Sequence, residues 1–339
     1  MTDQWKNRKI RPIKMMRAVR VLKQGEKPIL DKIPIPKVSS GKLLIKNVFS
    51  GVNYIDTYHL SGLYPIPTPF TLGVDGAGII EDVGDNVTLF KKGQRVTFYV
   101  TCLGADAEYT LCDEKDAIAV PDSIPLDIAT ACMVQGMTAH YLSHDTHKVK
   151  QGDVVLIHAC VGGTGSLLVQ LCKALGAIVI GTVGSDEKVK IAKNLGVDHV
   201  INYNTHDFVE QVAIITKGSL CNVVYDGVGK ATWEGSLKCV TRRGLAITFG
   251  NASGKIPDID SFLLSKYGSI FVTRPKLGDY VVERAEYEKR AHDLFQYIQE
   301  GKLRVEIHKS FPLEKVEDAL AEIQNRATRG KILLKCGNE

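Results

Sequence analysis

Residues 154–172 contain no Lys, Arg, Asp or Glu, and Gly162-Gly163-Thr164-Gly165 lies at the centre of the run. An uncharged stretch of this length is either a membrane span or a pair of elements buried on every side. His158, Thr164, Ser166 and Gln170 make it too polar for a span. It reads instead as a buried strand (154–159), a glycine turn and a buried helix (165–175). The neighbouring sequence continues the alternation. A helix over 129–141 precedes it. Strands at 178–183, 199–202, 222–226 and 245–249 follow, separated by helices at 186–195, 208–216 and 232–239. Such alternation predicts an α/β fold with a doubly wound parallel sheet, to which 269–273 adds a sixth strand.

At about 150 residues per domain, 339 residues make two domains. Residues 15–120 supply the other one. Short apolar or alternating runs at 17–22, 43–49, 78–83, 95–100 and 108–111 are punctuated by Gly51, Gly62, Gly73, Gly84 and Gly93 and by five prolines between Pro34 and Pro69. That texture predicts a compact, partly closed antiparallel β-domain. The last 60 or so residues hold helices at 286–300 and 313–325 and a strand at 331–335. They are too few for a core of their own and are predicted to pack back on the first domain.

Composition excludes several classes. Hydrophobic residues at 44% and charged residues at 24% do not suit a disordered chain. A net charge of +5, from 43 basic and 38 acidic residues, is too small an excess to imply nucleic acid. The only feature favouring RNA is the basic arm Lys6, Arg8, Lys9, Arg11 and Lys14, with no aromatic RNA motif beside it. The eight cysteines include no C-x-x-C pair and form no disulfide framework, which points to a reducing, cytoplasmic setting. The first 17 residues lack the apolar segment of a secretory signal.

The glycine turn carries chemistry. Read as A-x-x-G-x-x-G from Ala159, it places Gly162, Gly163, Thr164 and Gly165 between a strand and a helix N-terminus. There, glycines allow positive φ and close backbone approach, and unpaired N–H groups at the helix start face a pyrophosphate. A dinucleotide site is the favoured reading. NAD-binding chains place an acid at the tip of the second strand, about 20 residues on. Here that strand ends at Val183-Gly184, followed by Ser185 and Lys188, with Tyr203 past the third strand. Hydroxyls and a cation suit a 2′-phosphate that a carboxylate would repel, so NADPH is expected over NADH.

Metal and thiol alternatives fare less well. Cys102 and Cys112 stand apart in the β-domain, and His59 and Asp75 have no evident third partner for a zinc ion. His140, His144 and His147 share a helical face and read as an exposed helix end rather than a ligand set. Cys132, Cys160 and Cys172 occupy apolar positions and read as core residues, not nucleophiles.

Gly51-Val-Asn53-Tyr-Ile-Asp56-Thr-Tyr58, Ser61-Gly-Leu-Tyr64-Pro, Leu72-Gly-Val-Asp75-Gly-Ala-Gly78, Tyr225-Asp-Gly-Val-Gly229, Thr248-Phe-Gly-Asn251 and Val272-Thr-Arg274-Pro lie along nearly the whole chain from about Met16. Together with the glycine turn, they make the sequence resemble the zinc-free quinone oxidoreductases of the medium-chain dehydrogenase/reductase superfamily, the zeta-crystallin-like group. The resemblance implies a discontinuous GroES-like β-rich catalytic domain, 1–136 and 276–339, around a Rossmann-like NADPH-binding domain, 137–275. Where zinc-bearing members carry Cys and Gly-His-Glu, this chain has Asn53 and Gly73-Val74-Asp75. The resemblance also implies that Asn53, Tyr58, Tyr64, Gln135 and Arg274 line the nicotinamide and quinone cleft. Ala159, Gly162, Gly163, Thr164, Gly165, Gly184, Ser185, Lys188, Tyr203, Phe249, Gly250, Asn251 and Arg326 would then bind the cofactor.

The expected reaction is metal-free hydride transfer from NADPH to a quinone, with Asn53 and a tyrosine hydroxyl hydrogen-bonding the developing oxyanion. Two alternatives stay open: reduction of an enoyl thioester or alkenal on the same scaffold, and an NADPH-gated RNA-binding or crystallin-type role. A homodimer is expected from the resemblance.

Overall fold

The structure, a computed structural model, describes residues 13–100, 103–325 and 328–337. Lys6, Arg8, Lys9 and Arg11 of the basic arm, Cys102 and Arg326 lie outside the described residues.

The first third of the chain is β-rich. Its strands are β1 (Met15–Val21), β2 (Ile29–Pro34), β3 (Lys42–Val52), β4 (Phe70–Thr71), β5 (Asp75–Val83), β6 (Arg95–Tyr99), β7 (Tyr109–Asp113) and β8 (Ala117–Ala119). Helix α1 (Tyr54–Ser61) follows β3 directly. Its sequence has little helical periodicity, so its start and stop come from its ends. Asp56 in the first turn accepts the Asn53 backbone N–H at 2.7 Å, and Gly62 takes the left-handed conformation (φ 79°) that closes the helix. β3 is the spine of this domain, paired antiparallel with β5, β7 and the last strand of the chain. Leu43, Ile45, Ile80, Val96 and Phe98 fill the space behind it.

A long helical stretch then leads into the second domain. It runs as α2 (Leu126–Ala131), a π-helical turn at Cys132–Gly136, α3 (Met137–Tyr141) and a second π-helical turn at Leu142–Thr146. The predicted single helix over 129–141 is therefore longer and is interrupted by wide turns of the kind that often mark functional positions.

The parallel sheet comprises β9 (Val154–Ile157), β10 (Ile178–Val183), β11 (His199–Asn202), β12 (Cys221–Asp226), β13 (Val240–Thr248) and β14 (Phe271–Thr273), in the order β11-β10-β9-β12-β13-β14. Between them run α4 (Gly163–Ala174), α5 (Asp186–Asn194), α6 (Phe208–Ile215), α7 (Trp233–Lys238) and α8 (Ser261–Lys266). The order reverses at β9, and ligands of such sheets bind at that switch point. Both faces of β9 are covered: Val155 and Ile157 join one core cluster, and Leu156, one residue out of phase, joins the other. That explains the uncharged run.

After α9 (Arg284–Gln299) come β15 (Ile307–Pro312), α10 (Val316–Gln324) and β16 (Lys331–Lys335). β16 pairs with β3, so the chain's end returns to the sheet its beginning built. The polar strand β15 has no clear period-2 pattern and is a strand because it pairs with β16. No helix among the described residues is long and apolar enough to cross a membrane.

Trp233 is the largest fully buried side chain among the described residues and packs beneath the β9–β12–β13 face. Trp233→Ala is expected to lower unfolding free energy by about 3–5 kcal/mol, read as a lower denaturant midpoint with an unchanged slope. An unmoved midpoint would contradict the packing.

Candidate active site

One cavity of about 750 Å³ runs between the two domains. Of the sequence-predicted residues, it is lined by Asn53, Tyr58, Tyr64, Gln135 and Arg274, by Ala159 and Gly162 through Gly165, and by Gly184, Lys188, Tyr203, Phe249 and Gly250. Ser185 and Asn251 stand behind the wall, and Arg326 lies outside the described residues.

The phosphate loop departs from expectation in one respect. The predicted positive φ is not at its glycines: Gly162 has φ −72° and caps α4, while Ala159 holds the left-handed conformation at φ 50°. The glycines answer to space instead. A side chain on Gly165 would run into the Ala159 carbonyl, and one on Gly163 would run into the Gln135 amide. The first turn of α4 thus closes onto the end of β9, and its free N–H groups open into the cavity. His158, at the strand tip, is buried, with Nδ1 3.0 Å from Thr182 Oγ1 and Nε2 3.0 Å from Ser236 Oγ. Ser236 donates to Asp226 at 2.7 Å. This Ser-His-Asp set is sealed from the cavity at Ser236, and Asp226 holds the adjacent loop through the N–H groups of Val228 and Gly229, both at 2.9 Å.

At one end of the cavity, β10 finishes without an acid at its tip. Ser185 caps α5 by accepting the Lys188 N–H at 3.3 Å, and the Tyr203 ring lies over Gly184 where a side chain would otherwise stand. Burial and the nearby Arg329 charge hold the Lys188 ammonium below the usual lysine range. Arg329 itself pairs with Glu187. Two cations that disfavour one another are relieved by a dianion placed between them. Arg329 was not anticipated from sequence.

At the other end, α1 faces the tips of β13 and β14. Tyr58 Oη accepts the Asn251 backbone N–H at 2.9 Å, across the domain boundary. Burial pushes this phenol up to about 12. Tyr64 meets Tyr58 edge-on with ring centroids 5.3 Å apart. Arg274 donates to Thr248 Oγ1 at 3.2 Å and to Tyr64 Oη at 3.3 Å. With its amide turned to satisfy both atoms, Asn251 offers Arg274 a further oxygen at 2.9 Å. Among the described residues, the hydrogen-bond partners of this guanidinium are all neutral.

Asn53 is used differently from expectation. Its Nδ2 donates to Gly51 O at 2.9 Å and to Asp75 Oδ1 at 2.8 Å, and its Oδ1 accepts from Lys331 Nζ at 2.7 Å. Both amide protons are committed, which leaves none for an oxyanion in the cavity. Sequence reasoning missed Lys331; its signal was a lysine opening the otherwise apolar strand Lys331-Ile-Leu-Leu.

His140, read from sequence as part of an exposed helix end, is buried. It stacks on His144 at 4.1 Å, lies 3.0 Å from Asp293 Oδ2, and is pushed down to about 4 by burial. His147 leaves the helix and approaches Asp153 at 3.0 Å. Among the described residues no cluster of three or more His, Cys, Asp or Glu side chains could hold a metal ion.

Comparison with known proteins agrees in both halves. Residues 39–149 match the alcohol dehydrogenase GroES-like domain, and residues 163–296 match the zinc-binding dehydrogenase family. The quinone oxidoreductase of Pseudomonas aeruginosa is 42% identical over 291 residues, covering 86% of this chain and 90% of that protein. The chain belongs to the quinone oxidoreductase family of medium-chain dehydrogenase/reductases. Within that family, the crystal structure of Escherichia coli quinone oxidoreductase complexed with NADPH superposes with a TM-score of 0.92 at 37% identity, covering 94% of this chain and 99% of that one. A 2-haloacrylate reductase of a Burkholderia species is 39% identical over 313 residues, covering 90% of this chain and 94% of that protein.

The two groups this family brings to mind fit unequally. Zinc does not fit: Asn53 and Val74 are not ligands, and the Lys331 ammonium already sits against Asn53 and Asp75. A phosphorylated dinucleotide fits the α4 N-terminus, the close-packed glycines and the Lys188–Arg329 pair.

Behind the site, Asp56, Asp75 and Asp106 are all buried. Burial, with Asp106 nearby, holds the Asp56 carboxyl well above the usual range. Burial also pushes Asp106 up to about 7, against the hydrogen bond from Ser50. Asp106 binds its proton more tightly folded than unfolded. Its contribution to stability is therefore complete below pH 3.8 and is lost as pH rises through about 7. Asp106→Asn is expected to flatten stability over that window, measured by urea denaturation at pH 5 and pH 8. A parent whose stability rises across this window because of Asp106 would contradict the assignment.

Proposed function

We propose that the chain is an NADPH-dependent quinone oxidoreductase that works without a metal ion. The observation that carries this reading is a single cavity. It joins an anion-binding helix start and a cationic 2′-phosphate end to a pocket walled by Tyr58, Tyr64 and Arg274. The family relatives named quinone oxidoreductases and the Escherichia coli complex with NADPH support it. In this reading, residues 137–275 form the nucleotide-binding unit, and 1–136 with 276–339 form the catalytic unit.

The α4 N–H groups and Gly162–Gly165 would hold the pyrophosphate, and Lys188, Tyr203 and Arg329 the 2′-phosphoadenosine. Phe249 and Gly250 would border the nicotinamide. When bound, NADPH supplies the hydride. The chain's own task is to hold an electron-poor ring beside it and receive the negative charge that develops on the acceptor oxygen. Tyr58 keeps its proton at neutral pH and accepts a hydrogen bond from Asn251, so its own O–H is free to point at that oxygen. Arg274, with neutral partners only, adds a positive charge at the same end. The apolar walls and Tyr64 exclude water.

A second copy of the chain would cover the β14 edge, where Phe271 is 61% exposed; Phe262, on the preceding helix α8, is 82% exposed. An open strand edge with large apolar side chains favours pairing, and a homodimer is our reading. The cysteines among the described residues are buried and joined by no disulfide, which is consistent with a cytoplasmic setting.

Lys188→Ala is expected to weaken NADPH about tenfold and leave NADH unchanged, measured by fluorescence titration. Equal parent affinities for the two cofactors would overturn the 2′-phosphate assignment. Tyr58→Phe is expected to lower kcat/KM on the order of 100-fold with NADPH binding retained. Turnover is measured with naphthoquinones beside 2-haloacrylate and enoyl thioesters; a parent that reduces only the latter two would replace quinone with a conjugated carbonyl acceptor.

A further inference from the structure

We propose that Lys331 is a positioning residue for hydride transfer. It holds the phosphate loop and the acceptor wall at one spacing while touching neither cofactor nor acceptor. This deepens the reading above and rests on it.

Lys331 is 1% exposed and its partner Asp75 is fully buried. Lys331 Nζ donates to Asn53 Oδ1 at 2.7 Å and to Asp75 Oδ2 at 3.2 Å, and Asn53 Nδ2 donates to Asp75 Oδ1 at 2.8 Å. The three side chains close a ring. Asp75 Oδ2 also accepts the Val134 N–H at 3.2 Å. The ring is packed so tightly that a methyl group on Gly51 would lie 2.6 Å from Nζ and 2.7 Å from Cε of Lys331.

Four elements meet at this ring, and each supplies cavity wall. Asn53 starts α1, which carries Tyr58. Asp75 starts β5, next to Val74. Val134 precedes Gln135, whose amide packs on Gly163. Lys331 stands between Gly330 and Ile332, both in the wall. Gly330 in turn bridges to Gly162 of the phosphate loop. The ring therefore reaches the phosphate loop twice, through Gly330 and Gln135, and reaches the acceptor wall through Asn53.

The physical reason for a charge here is direction. Burying an ammonium and a carboxylate costs hydration that their attraction does not reliably return, and an apolar pair of the same volume packs as well. An apolar pair can slide, whereas Nζ has to face both Asn53 and Asp75. That requirement sets β16 along its length against the β3–α1 junction, and with it the distance between the two halves of the cavity. Hydride transfer is sensitive to that distance: a misplacement of about 1 Å costs about 100-fold.

The test compares the parent with the Lys331→Met/Asp75→Asn double variant, which removes both charges of the ion pair and so does not leave Asp75 as an unpaired buried carboxylate. Three quantities are read: the thermal midpoint, the NADPH dissociation constant with the emission of bound NADPH, and kcat with a naphthoquinone using NADPH deuterated at the transferred position. The expected double variant unfolds cooperatively and binds NADPH within about threefold of the parent, with shifted emission. Its kcat falls at least about tenfold and its isotope effect rises, because hydride transfer has become the slow step. A variant that changes only its midpoint, or that keeps the parent kcat and isotope effect, overturns the assignment. Asn53→Ala cuts the Nζ contact while keeping the ion pair. If the double variant does not fold, Asn53→Ala is expected to show the same fall in kcat and rise in isotope effect, and their absence overturns the assignment. A parent with no turnover defeats the functional reading itself; a parent that turns over beside an unimpaired variant defeats the role of Lys331 alone.

Discussion

The close approach of the first turn of α4 to the end of β9 governs how the cavity is built. Gly165 lies against the Ala159 carbonyl with room for a hydrogen and nothing larger, and Gly163 gives the same latitude to Gln135. Because the helix starts this near the strand tip, its unpaired N–H groups point out of the switch point of the sheet. The other walls are then stacked on this loop: the π-helical turn through Gln135, and the chain's last strand through the Gly330–Gly162 bridge.

Charge is distributed along the cavity in keeping with the occupants proposed for its two ends. Lys188 and Arg329 stand where β10 lacks an acid. Arg274 stands at the far end among neutral oxygens, beside a phenol that burial keeps protonated. Behind the wall the acids are muted, with Asp56 and Asp106 pushed toward their neutral forms and Asp75 matched by Lys331. The carboxylate that does reach the wall, Asp279, is paired with Lys276 at 3.3 Å; an unpaired one would work against both the phosphates and the negative charge on a reduced acceptor.

Legibility from sequence followed the range of the forces involved. β10, β11 and β16 lie where their local patterns placed them, since each has apolar residues at its centre and turn residues nearby. β15 and α1 were not legible. The first depends on pairing with a strand 20 or so residues later in the chain, and the second on its end groups rather than on periodicity. The glycine loop was found for a reason only half of which the structure bears out: its glycines serve close approach, and the left-handed residue is Ala159. Asn53 was identified by type and position, but its protons go to Gly51 and Asp75. That could not be read without knowing that Lys331, some 278 positions away, would occupy its oxygen.

By itself the sequence determined the alternation of strand and helix, the phosphate loop and the missing acid at the tip of β10, because burial periodicity, turn chemistry and local charge act over a few residues. Only the tertiary structure decided which side chains share the cavity. Tyr58 meets Asn251, Gln135 meets Gly163, and Lys331 meets Asn53 and Asp75, with the hydrogen bonds among these joining residues 193 to 278 positions apart. Those contacts depend on how the β3 sheet and the β9 sheet are set against each other, and no local pattern encodes that distance.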